Sequence, residues 1–171
     1  MNSQASASTS TPSERVTVQL ALEKGTDAVP GGVDLVRRAA SLALPPGQAE
    51  CTIRLVDADE SRSLNHRHRG RDQATNVLSF PAALADELAA LLPENEQPKS
   101  IGDIVLCVAV AEREAADQGK QLGDHLTHLI VHGILHLRGF DHITESEAQE
   151  MEQLERELLA EHGIADPYRI R

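Results

Sequence analysis

Tryptophan is absent from this 171-residue chain, tyrosine occurs once and phenylalanine twice. Base stacking on aromatic platforms is therefore a poor way for this protein to hold a nucleic acid, and its core has to be built from Leu, Val, Ile and Ala. Cysteine is equally scarce. Cys51 and Cys107 each sit inside an apolar, strand-like run, and neither belongs to a C-x-x-C pair or a dense disulfide pattern. That usage fits a reducing, cytoplasmic setting. No run approaches the roughly 18 apolar residues of a membrane span, and the N-terminus has neither a charged start nor an apolar h-region. The expectation is an unexported protein with no membrane partner. The length fits one domain, expected over 15–171, behind a disordered tail at 1–14 rich in Ser, Thr and Ala.

Positive charge is also in deficit. The formal net charge of -11 argues against indiscriminate binding to nucleic acid or an anionic membrane, and favours a monomer or small assembly. The distribution is uneven: residues 145–161 hold seven Glu against one Arg, whereas 62–71 hold Arg62, Arg67, Arg69 and Arg71 without an acidic side chain. Such a run is either a solvated surface or a strip for phosphates.

Apolar patterning predicts the elements. "RVTVQLAL", "CTIRLVD", "NVLSFP" and "IGDIVLCVAV" read as strands, the last (101–110) nearly continuously apolar and so buried on both faces. Helices are predicted from Asp34 to about Leu44, from a cap at Asp59 towards Arg69, over Glu112 to Gln118, and from Asp124 to about Arg138 with Gly139 as terminator. Thr144 and Glu147 form a capping box opening a last helix, with Met151, Leu154 and Leu158 inward and its glutamates outward. Residues 82–100 read as a variable loop or loose helix. Together these predict an α+β domain, a small mixed sheet of about four strands with helices packed on it.

The stretch "VHGILHLRGFDH", 131–142, carries the chemistry. His132 and His136 are four apart, which on a helix puts both rings on one face, close enough to share an ion. If Gly139 ends the helix, "GFDH" turns back and His142 approaches from the side. Three imidazoles leave one position open, the pattern of a catalytic zinc site; structural sites close with four ligands rich in cysteine. His125 and His128 extend the stripe, as further ligands, as groups supporting the ligands, or as partly exposed histidines near the helix start. Asp141 either orients a ligand ring or stabilises the turn.

What this stretch lacks is a glutamate after its first histidine. H-E-x-x-H peptidases place their general base there, and this chain has Gly133. A single Zn2+ ion at such a site must itself acidify water and polarise the substrate oxygen, which suits a substrate that brings negative charge.

At this point the residues resemble the bacterial YbeY endoribonucleases. The hallmark H-G-x-L-H-L-x-G-Y/F-D-H is matched from His132 to His142, a second block by "LNHRHRGRDQATNVLSFP" at 64–81, and G-D-I at Gly102 to Ile104. One position departs: His68 stands where that family has Tyr. The resemblance implies zinc ligands at His132, His136 and His142, and a cleft arginine at Arg69 needed for cleavage of single-stranded ribosomal RNA. It implies 16S rRNA 3'-end maturation, ribosome quality control and the small ribosomal subunit as partner. Arg62, Arg67 and Arg71 would then track neighbouring phosphates. Two rivals stand beside it: a metal-dependent amidohydrolase or peptidase on the same histidines, and a non-catalytic ribosome-assembly factor whose metal staples its helices.

Overall fold

The computed structural model describes residues 11–82, 91, 93 and 99–169. Four strands, β1 (Val16–Ala21), β2 (Glu50–Val56), β3 (Val77–Pro81) and β4 (Ser100–Cys107), form one sheet in the order β1-β2-β4-β3. β1, β2 and β4 run parallel and β3 is antiparallel to β4. The predicted mixed four-strand sheet with packed helices is therefore what forms. Its helices are not gathered after its strands, because parallel neighbours need crossovers: α1 (Gly32–Ala43) carries the chain from β1 to β2, and α2 (Ala58–Arg69) lies on the path from β2 through β3 to β4, the parallel neighbour of β2. Three more follow the sheet, α3 (Val108–Gln118), α4 (Leu122–Leu137) and α5 (Glu145–Ala160).

Helices cover both faces of the sheet. Ile53, Leu55, Ile104 and Leu106 point into the larger core with α1, α4 and α5, while Val56, Val105 and Cys107 point the other way, towards α2 and α3. The burial of β4 on both faces matches its continuous apolar run. That run ends earlier than periodicity suggests: Val108, Ala109 and Val110 are the first turn of α3, because apolar strand and buried helix look alike over three residues. α1 buries Val36, Ala39, Ala40 and Ala43, a spacing of 3, 1 and 3 that packs one stripe on the sheet. Cys51 and Cys107 are free and buried, and burial pushes the Cys51 thiol up to about 11, so it is inert rather than reactive.

Small differences fall at element ends. α2 begins after Asp57, in extended conformation, rather than at Asp59, and the Asp57 carboxylate accepts from Glu23 N at 2.9 Å instead of capping the helix. The capping box of Thr144 and Glu147 forms as predicted, with Thr144 Oγ1 accepting from the Glu147 amide at 3.2 Å. Of the expected tail, residues 1–10 lie outside the described residues and Pro12–Arg15 form a 3-10 turn. Most of the loop expected at 82–100 also lies outside them.

Candidate metal centre

α4 sits at the centre of the fold, packed on α1, α3, α5, β3 and β4. Its buried residues, Leu126, Leu129, Ile130, Ile134 and Leu135 among them, fix its rotation and leave the histidine stripe on one flank. The close approach of α4 to the sheet explains Gly133. A Cβ there would stand 3.0 Å from Ile104 Cδ1 and 3.2 Å from Ser79 Oγ, and Ser79 donates to the Gly133 carbonyl at 3.1 Å. No side chain fits. Gly133→Glu is expected to destabilise the fold by more than about 3 kcal/mol, through overpacking and an unpaired buried carboxylate, read as a lower urea midpoint with no gain of peptide hydrolysis.

At its C-terminal end α4 is closed by Gly139, at φ +95°, with Gly139 N donating to His136 O and Phe140 N to Leu135 O, each at 3.0 Å. The chain turns back as expected. His132, His136 and His142 come together with one ring nitrogen each, all within 4.8 Å of one another. The nearest pair, His132 Nε2 and His136 Nε2, is 3.1 Å apart. Two imidazole nitrogens on one tetrahedral zinc ion stand about 3.3 Å apart, so the spacing fits such an ion.

The other nitrogens decide what these two carry. His132 Nδ1 is 2.6 Å from Glu155 Oε1, and His136 Nδ1 is 3.0 Å from the Phe140 carbonyl. Both acceptors call for a proton on Nδ1, which leaves a lone pair on each Nε2. Two lone pairs facing each other repel unless a cation lies between them. Burial first, and then the neighbouring His132 and His142, holds the His136 ring below the usual histidine range, which keeps it neutral as a ligand must be.

The supporting carboxylate is Glu155, not Asp141. Asp141 Oδ1 accepts from the backbone N–H of His142 at 2.8 Å, so it shapes the turn. Glu155 lies on α5 among glutamates expected to face outward, yet it is fully buried. Its neighbours one turn away on either side, Met151 and Leu159, are buried too, so its place on the apolar flank was visible in the spacing. Burial alone would raise its carboxyl; the facing His128 ring and hydrogen bonds from His132 and Tyr168 outweigh burial and hold it at about 2. His128 Nε2 stands 3.5 Å from Glu155 Oε1, and no hydrogen bond to either ring nitrogen forms among the described residues. His128, His132 and Glu155 make a second, enclosed cluster against the first. His125 belongs to neither cluster: it is buried, its ring is edge-on to His128 at 6.3 Å, and its Nε2 is 2.8 Å from Glu114 Oε2.

The three ligand candidates open into a hollow of about 540 Å³ that Arg69, at the end of α2, also lines. α2 is held there by buried polar groups: Ser61 Oγ donates to the Thr75 carbonyl and Asn65 Nδ2 to the Gln73 carbonyl, each at 2.8 Å. Among the described residues Arg69, Arg67 and Arg71 have no side-chain hydrogen bond or ion pair, whereas Arg62 is held bidentately by Asp72 at 2.7 and 2.8 Å. Arg62, Arg67 and Arg71 do not line the hollow. His68, exposed near the end of α2, packs edge-on against Phe80, ring centroids 5.0 Å apart, and does not line the hollow. A larger hollow of about 740 Å³ lies at the other end of α4, lined by Lys120, Asp124, Asp166 and Arg169; it holds both signs of charge and none of the three histidines.

Comparison with known proteins places the chain in a family. A family model described as "Endoribonuclease YbeY" matches residues 32–163. A protein of that name from Pseudomonas putida is 53% identical over 153 residues, 88% of this chain and 93% of its own. Another from Xanthomonas oryzae is 54% identical over 130 residues, 76% of this chain and 78% of its own. A solution structure from Thermotoga maritima, 23% identical, covers 90% of this chain and 99% of its own at a TM-score of 0.50, which speaks to the fold. Spanning both the arginine-bearing block and the three histidines, the family match makes this chain a member of the YbeY family.

Proposed function

We propose that this chain is a zinc-dependent endoribonuclease that cuts single-stranded ribosomal RNA, acting in the cytoplasm in 16S rRNA 3'-end maturation and ribosome quality control. The observation that carries the reading is the pair of His132 and His136 Nε2 atoms 3.1 Å apart, with His142 beside them, in a hollow shared with an arginine whose side chain has no partner among the described residues. The relatives' name, endoribonuclease, supports the RNA substrate.

A bound zinc ion would supply Lewis acidity and a water acidified towards neutrality. The chain's own residues do the rest. His142, exposed on its turn, leaves that side of the cluster open to solvent and to a long polyanion. The Arg69 guanidinium can grip two oxygens of one phosphate and offset the charge that gathers there during cleavage. Asp141 is the one carboxylate among the described residues lining the hollow, and its Oδ1 is engaged by the next residue's N–H. The site is thus short of a general base and furnished for an anion, which favours a phosphodiester over a peptide.

The test is incubation of zinc-loaded protein with a single-stranded ribosomal RNA fragment and with the same fragment in duplex form. The single strand should be cut, cutting should stop on chelation and return with zinc, and the duplex should be spared. Cleavage that persists after chelation would overturn the reading. Product ends then identify the attacking oxygen: a 5'-phosphate means water, a 2',3'-cyclic phosphate the ribose hydroxyl.

A further inference from the structure

After Gly163 ends α5, the chain does not leave the fold but folds back along it as a strap, Ile164 to Arg169, just beyond the residues that the family model matches. Lys120 Nζ donates to the Pro167 carbonyl at 2.8 Å, and Asp166 Oδ1 accepts from Tyr168 N at 2.9 Å and from Arg156 Nε at 3.3 Å. These anchors deliver the chain's one tyrosine to the interior. Its ring lies edge-on to His128 at 5.5 Å and under the Arg156 guanidinium at 5.1 Å, and its hydroxyl donates to Glu155 Oε2.

We propose that Tyr168 is a positioning residue of the metal centre: by holding Glu155 Oε2 it fixes the carboxylate whose Oε1 accepts from His132 Nδ1, and so sets the direction of His132 Nε2. The proposal rests on the reading of His132, His136 and His142 as metal ligands. Its physical basis is the division of labour between the two oxygens of a fully buried carboxylate. Oε1 takes His132 at 2.6 Å, and Oε2 takes Tyr168 alone among the described residues. Without the phenol, Oε2 has no partner in a place sealed from water, and the carboxylate plane is free to turn. The His132 ring turns with it, because nothing else among the described residues engages its Nδ1. Outer partners of this kind commonly tune metal affinity by about 10- to 100-fold.

The experiment titrates metal-free full-length protein with Co2+, reading the d–d absorption and the affinity by chelator competition. Wild type should bind one ion with a tetrahedral spectrum, and His136→Ala should not; if both behave alike, the ligand reading fails and the proposal with it. Tyr168→Phe keeps the ring against His128 and Arg156, so it should fold normally, shift the d–d band and weaken Co2+ binding by about tenfold, less than Glu155→Gln at roughly 10- to 100-fold. In a Glu155→Gln background the Tyr168→Phe effect should vanish, since the hydroxyl acts through that carboxylate. An unchanged spectrum and affinity in Tyr168→Phe, with wild type binding normally, overturns the proposal while leaving the ligands in place. An undiminished effect in the Glu155→Gln background also overturns it.

Discussion

His136→Ala is expected to remove metal retention and RNA cleavage together while leaving the metal-free fold nearly as stable as before. The ring is half-buried and is one of the three ligands proposed, so affinity should fall by more than about 100-fold, beyond what loss of an outer partner costs. The cost to the metal-free fold is small for a specific reason. The substitution gives up one hydrogen bond to the Phe140 carbonyl, about 1 kcal/mol, but also removes one of two lone pairs held 3.1 Å apart. Urea unfolding in the presence of a chelator should therefore differ from wild type by about 1 kcal/mol or less, whereas unfolding with zinc present should separate the two by about 3 to 4 kcal/mol at a thousandfold excess over the wild-type dissociation constant. A protein whose metal only staples helices would lose stability in the same way but would have no cleavage to lose. Equal zinc stabilisation of both proteins would remove His136 from the ligand set.

The sequence made the meeting of the three histidines legible because each step was local. A spacing of four on a helix is geometry, and a glycine after the last periodic residue is a stop signal. The sheet was legible for the same reason, as four short apolar runs bounded by turn residues. Parallel pairing was harder, since it depends on which runs cross over through α1 and α2 rather than on any one run. The end of β4 was misplaced because Val108 to Val110 are apolar in either element. Glu155 is the instructive case: charge suggested solvent, while its spacing from Met151 and Leu159 put it on the buried flank. Burial of a lone carboxylate is costly, and it takes the donors of His132 and Tyr168, 23 and 13 residues away in the chain, to offset that cost. No window of sequence contains that pairing. Asp141 was the nearer carboxylate to the ligands and was drawn into the turn instead.

Arg69→Glu is expected to lower kcat/KM for single-stranded RNA by at least about 100- to 1000-fold with zinc affinity unchanged, the size of effect seen when one preorganised charge stabiliser is lost. The unchanged affinity follows from position: Arg69 lines the hollow with the histidines but its side chain makes no hydrogen bond or ion pair with any described residue. Arg69→Lys separates two contributions. Lysine restores the charge but not the planar fork, so recovery should be partial if one phosphate is held through two oxygens, and nearly complete if the site needs only a positive potential. Arg62→Ala is the control within the same helix. Its guanidinium is already committed to Asp72, so its removal should leave cleavage nearly unchanged, and the four arginines of 62–71 divide into one that faces the site and others that do not. A loss on Arg62→Ala as deep as on Arg69→Glu would mean that RNA is gripped along the whole strip and that the Asp72 pair opens to receive it.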